Sequence, residues 1–212
     1  RDAVYETGVS VDIDCDRFFS KIFRVYCGGT FFVASFLILT CKIITKVLVA
    51  DAYFDSWQYV PVLIISTVFS CLVNFLASIY MAEKKNIMAM VTALTGAVTN
   101  VVLNLILIPR MGANGAAVAT ACAFVVVFLT RSRDTRRFIK INYQPVVLTC
   151  QTVVLVAQTV AALCLQGVWF YVAEALLFAL MLGMNWYQVV ELYKLVTTKM
   201  LSKLKKPKTE EE

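Results

Sequence analysis

Six stretches of the chain stay apolar for close to the thickness of a bilayer, and polar residues gather between them. They fall at 26–50, 59–82, 86–108, 113–129, 145–165 and 168–192. Runs near ~20 residues with few charges match a hydrocarbon layer ~30 Å thick. Lipid offers no partner to backbone N–H and C=O groups, so a spanning segment is either a helix or part of a closed barrel. A barrel needs short alternating strands, which these runs do not show. The expectation is an all-α, polytopic membrane protein with six transmembrane helices.

Local punctuation supports the division. Pro61 and Pro145 each fall in a first helical turn, where the missing N–H costs nothing. Pro109 is expected to end the third helix. The linkers at 83–85, 109–112 and 166–167 are short enough to force antiparallel neighbours. Around the helices the chain divides into a cytoplasmic lead-in at 1–24, a six-helix lobe at 25–193 and a basic tail at 194–212. The lead-in switches from acidic residues (Asp2, Glu6, Asp12, Asp14, Asp16) to a basic-aromatic stretch around Phe18, Lys21 and Arg24. With Arg1 at its head, it reads as an exposed linker within a longer protein. In the tail, Leu192, Leu195, Val196, Met200, Leu201 and Leu204 recur at helical spacing with lysines between them. That pattern fits a helix lying on the membrane surface, or a solvated tail.

Composition fits the same class. The chain has 212 residues and is 60% hydrophobic, above the roughly half expected of a soluble domain. Its net charge is +6. Of the 20 Lys and Arg residues, all but Lys42, Lys46 and Arg110 fall before the first run, at 84–85, at 131–140 or after the last run. Positive charge stays cytoplasmic, so both ends of the chain are expected there, in contact with anionic membrane lipids. No basic groove interleaved with aromatic residues suggests nucleic acid.

Catalytic chemistry finds little support. The seven cysteines form no C-x-x-C pair and there is no histidine, so neither a metal site nor a disulfide framework is expected. The cysteines read as small apolar packers. Without histidine the commonest general base is missing. No carboxylate pair, Ser/His/Asp set or Cys/His set can be assembled. The expectation is a protein that is not an enzyme and carries no cofactor.

The polar residues inside the runs are the candidates for function. Asn74 lies in the second run. Asn100 and Asn104 lie four apart in the third and share a face with Gly96. Glu174 and Asn185 lie in the sixth. Such groups either line a hydrophilic passage for a polar cargo or bond helix to helix. Lys42 and Lys46, also four apart, either hold a phosphate or pyrophosphate as it crosses or snorkel to the interface. Between 112 and 121 the residues are small: Gly112, Ala116 and Thr120 form one stripe, Gly115 and Ala119 another. Stripes of this kind let helix backbones approach closely. The G-x-x-G there lacks the strand and lysine of a phosphate loop.

One string carries a family resemblance. Asn100-Val-Val-Leu-Asn104-Leu-Ile-Leu-Ile-Pro109-Arg110-Met-Gly112-Ala-Asn-Gly115-Ala-Ala-Val-Ala-Thr120 resembles the C-terminal half of Wzx-type polysaccharide flippases, in the superfamily that also holds MATE exporters. The family pattern is an Asn-rich helix, Ile-Pro-Lys/Arg, a residue, Gly, then a Gly-Ala-Ala run. Tyr53 to Trp57 with Val60-Pro61, Phe75 to Tyr80 with Lys84-Lys85, Arg131 to Ile141, and Phe18 to Phe23 resemble neighbouring parts of the same family, so the likeness covers about 17–145. The resemblance implies one six-helix lobe of a MATE-like two-lobed transporter, working with an N-terminal lobe of the same protein. It also implies a bacterial plasma membrane, and a cargo of oligosaccharide linked to undecaprenyl pyrophosphate, moved from the inner to the outer leaflet. Lys42, Lys46, Asn74, Asn100 and Asn104 are the residues expected to meet that cargo. The alternatives are a MATE-like exporter of small cations, which favours an intramembrane acid such as Glu174, and a non-transporting membrane fragment.

Overall fold

A computed structural model of the chain describes the backbone at residues 2–48, 50, 56–137, 139, 141–165 and 167–204, with side chains from 16 to 188 within that set and at 190 and 197. Among the described residues the helices are α1 (Asp2–Leu48), α2 (Val60–Ala82), α3 (Asn86–Met111), α4 (Ala113–Thr135), α5 (Pro145–Cys164) and α6 (Val168–Leu204). Each contains a stretch long and apolar enough to cross a membrane, and they account for the six expected segments.

Two boundaries depart from the sequence reading. The lead-in is continuous with the first helix: α1 runs 47 residues from Asp2, because that stretch has no proline to break it. Pro109 does not end α3. It sits inside the last turn, and the helix ends two residues later at Met111, before Gly112, whose φ of 57° takes the chain out of helical geometry while its N–H bonds to the Ile108 carbonyl. A proline so near a C-terminus disturbs only the turn before it. At the far end, α6 carries helix through the first part of the basic tail, to Leu204; the side chains that would show an amphipathic face there lie outside the described residues.

The helices sort into two groups. α4 packs along both α3 and α2, while α1 packs along α6 and α5, and α5 along α6. The α1–α2 contact joins the groups, with a smaller α2–α5 contribution. Phe31, Ile38, Leu72, Leu76, Leu155 and Met181 are fully buried where they meet. Near one end Phe23 sits edge-on to Phe75 and to Tyr143, with ring centroids 5.4 and 5.2 Å away.

The outer surface is what a lipid environment requires. Along α3 only Thr92 and Gly96 are buried, and Leu94, Val101 and Leu105 stand 58–73% exposed. In water this would be an apolar patch far beyond the few hundred Å² that monomeric proteins tolerate. In a bilayer it meets acyl chains.

Small residues set the α3–α4 approach. A Cβ on Gly96 would overlap the Val127 side chain, and one on Gly115 would overlap the Leu107 backbone carbonyl. Ala119, one turn after Gly115, is completely buried. The Gly115–Ala119 stripe is therefore the packing seam. Thr120, from the other stripe, faces polar company.

Candidate functional site

Between α2, α3 and α4 lies a cavity of about 470 Å³. Asn74 from α2, Gly96 and Asn100 from α3, and Thr120 and Arg131 from α4 line it, with Val73, Ala123, Phe124 and Val127 supplying apolar wall. Asn100 donates from Nδ2 to Thr120 Oγ1 at 3.3 Å, and Asn104 donates to Asn100 Oδ1 at 2.9 Å. The Oδ1 of Asn104 is buried and, among the described residues, has no hydrogen-bond partner. The four-residue spacing of the two asparagines thus becomes a ladder of amides along one face of α3.

Arg131 closes the cavity toward the end of the bundle that carries Lys84 and Lys85. The residue is 5% exposed. Its Nε donates to Thr92 Oγ1 at 3.0 Å, Nη1 to the Val73 carbonyl at 2.9 Å, and Nη2 to the Ala89 carbonyl at 3.1 Å. All three acceptors are neutral oxygens, so these bonds hold the guanidinium without cancelling its charge. They use three of its five donors. The Tyr80 ring lies 5.9 Å away, and the Tyr80 hydroxyl donates to Asp134 at 2.8 Å. From Thr92 to Asn104 the polar file covers about 18 Å of helix rise, more than half of a ~30 Å hydrocarbon layer.

A second polar set ties the α1–α5–α6 group together. Ser35 donates to Gln158 Oε1 at 2.7 Å, and Gln158 Nε2 donates to Glu174 Oε2 at 3.1 Å. Two turns along α5, Gln151 accepts from Cys27 Sγ at 3.7 Å and donates to Asn185 Oδ1 at 2.6 Å; Asn185 donates onward to the Met181 carbonyl at 2.9 Å. Ser35, Gln158, Glu174 and Asn185 are all completely buried. In these positions Glu174 and Asn185 serve as inter-helix bonds.

The sequence candidates therefore separate. Asn74 and Asn100 share the α2–α3–α4 cavity, with Asn104 bonded to Asn100. Lys42 and Lys46 stand apart from them on α1. The Lys42 ammonium lies 3.7 Å from the Phe170 ring centroid and 4.4 Å from that of Trp57. Lys46 is exposed. Arg131 was not among the candidates: by position it reads as one more cation of the 131–140 connection, and only the register of α4 turns it inward. Gln151 and Gln158 were missed too, although their seven-residue spacing on an apolar helix marks one face. Cys41 is buried and Cys27 is buried with its Sγ bonded to Gln151, whereas Cys122, Cys150 and Cys164 are exposed on the bundle's outer surface. Tyr143, in the connection before α5, bonds to Thr135 at 2.8 Å, and burial raises its phenol above the ordinary range.

Six apolar helices, a lipid-compatible exterior and polar clusters buried between the helices define a multi-pass helical membrane protein. Compared with protein-family models, curated proteins and solved structures, the chain matches none.

Proposed function

We propose that this chain is one lobe of a transporter that flips an oligosaccharide carried on undecaprenyl pyrophosphate from the inner to the outer leaflet of a bacterial plasma membrane, in company with an N-terminal lobe. The observation that carries this reading is the polar file from Arg131 through Asn74, Asn100 and Thr120 to Asn104. A sugar headgroup with a charged phosphate needs hydrogen-bonding groups and some positive charge across an apolar barrier. The amides and hydroxyl supply the first. The two guanidinium donors of Arg131 that its three bonds leave over supply the second. The Asn100–Thr120 string, with its likeness to Wzx-type flippases, points the same way. Both ends of the chain are then cytoplasmic, as the distribution of positive charge favours.

The exporter alternative draws on Glu174, the acid fully buried in α6. Its bond from Gln158 within the α1–α5–α6 contact favours a structural role over a place in a cargo path. The deciding experiment compares cells with and without the gene, and cells carrying Asn100→Leu with Asn104→Leu. Lipid-linked oligosaccharide trapped on the cytoplasmic leaflet, in the null and in the double variant at normal expression, is the expected result. Normal flipping with lost dye efflux in the null would favour the exporter. Wild-type flipping in the double variant would remove the amides from the cargo path.

A further inference from the structure

A second cavity, of about 550 Å³, opens between α1, α6 and the connection before α5. It shares no residue with the α2–α3–α4 cavity. Arg17, Lys21 and Arg24 of α1 line it together with Asp16, Asn142 and Tyr187. The three cations lie at i, i+4 and i+7, which places them on one face of the helix. Among the described lining residues, three are cationic and one, Asp16, is acidic.

Its depth is set by the helices themselves. The charged stretch 16–24 of α1 gives way there to the apolar run at 26–50, beside the end of the apolar run of α6 at 168–192. Trp186 and Tyr187 stand 62% and 66% exposed at that end, as aromatic side chains do at the headgroup level. The connection between α4 and α5 is drawn onto α1 here: the Asn142 N–H donates to Ser20 Oγ at 3.1 Å, and Ser20 donates to the Asp16 carbonyl at 2.6 Å. The cavity thus has a fixed wall on one side and the helix face on the other.

Arg24 gives the site its direction. Its Nε is buried and, among the described residues, has no hydrogen-bond partner. A buried donor on a charged group is costly to leave unmade, and an anion seated beside it would satisfy the bond and the charge together. Asn142 and Tyr187 add polar atoms on the far wall.

We propose that this cavity binds a net-negative phosphate group, held by Arg17, Lys21 and Arg24, and that the group belongs to the headgroup of an anionic membrane lipid. The site is independent of the flipping function. Its place at the boundary favours a lipid over a solute, because a headgroup at that depth arrives with its acyl chains already in the membrane. Anionic lipid is also what the surrounding leaflet supplies to a basic surface.

The test uses the 212-residue chain in nanodiscs made from equal phosphatidylglycerol and phosphatidylcholine, released for native mass spectrometry of the lipid it retains. The wild-type protein should retain phosphatidylglycerol preferentially. Arg24→Gln should lower that preference by about fivefold, as should Arg17→Gln. Lys84→Gln with Lys85→Gln, at the same end but outside the cavity, should leave it unchanged. Arg17 is exposed, so its variant carries the test if Arg24→Gln folds poorly. Millimolar inorganic phosphate should not displace the lipid. Displacement that Arg24→Gln abolishes would keep the phosphate site but overturn its assignment to a lipid. Wild-type preference in both arginine variants, or an equal loss on replacing Lys84 and Lys85, would overturn the site itself.

Discussion

The Nη1 of Arg131 lies 2.9 Å from the carbonyl oxygen of Val73, so a side chain of α4 grips the backbone of α2 inside the membrane. Its other two bonds reach Thr92 and Ala89 on α3. One guanidinium thereby fixes three helices at the end of the polar cavity. The α2–α3–α4 group is tied together by this clamp at one end of its cavity and by the Asn100–Thr120 bond further along.

Replacing the clamp tests this directly. Arg131→Lys keeps the charge but has no planar fork to reach three acceptors on two helices. It should lower stability by about 1–3 kcal/mol, read as a fall in the thermal unfolding midpoint of the protein in nanodiscs. A wild-type midpoint in Arg131→Lys would show that the charge alone suffices.

The chain Ser35–Gln158–Glu174 should behave as a unit. Removing Gln158 strands both neighbours, so Ser35→Ala should cost much less once Gln158→Leu is present. A double-mutant cycle should return a coupling of about 0.5–2 kcal/mol between the two positions. Additive costs would mean that the hydroxyl and the amide act separately.

Two glycines at the α3–α4 seam should respond differently to the same change. Gly96→Ala meets the Val127 side chain, and Gly115→Ala meets the Leu107 backbone. Each should cost roughly 1–3 kcal/mol through overpacking. Adding Val127→Ala should recover much of the first loss and none of the second. Equal recovery of both would locate the strain somewhere other than these contacts.

Much of this architecture is legible in the sequence because lipid leaves few choices. Apolar length marks each helix, short linkers make neighbours antiparallel, and proline marks the starts of α2 and α5. What sequence reads poorly is rotation. Hydropathy cannot tell that Arg131 points inward one turn before α4 ends, because a cation at a helix end looks the same facing water. The pairing of Gln151 with Asn185, and of Gln158 with Glu174, depends on the register between α5 and α6, which a single chain does not encode in any local pattern. The asparagine ladder was readable because both members lie on one helix, four residues apart. Pro109 misled because a proline three residues before a glycine stop leaves the glycine to end the helix.

The most direct measurement is sidedness. In a variant with the native cysteines replaced by serine, single cysteines would be placed by Lys84→Cys, Arg137→Cys, Gln58→Cys and Ala113→Cys. These positions mark successive ends of the helices. A membrane-impermeant maleimide applied to intact cells should label the cysteines at 58 and 113, and reach those at 84 and 137 only after permeabilisation. Labelling at 137 from outside, or at 84 and 113 from the same side, would contradict six antiparallel crossings with their cationic ends in the cytoplasm.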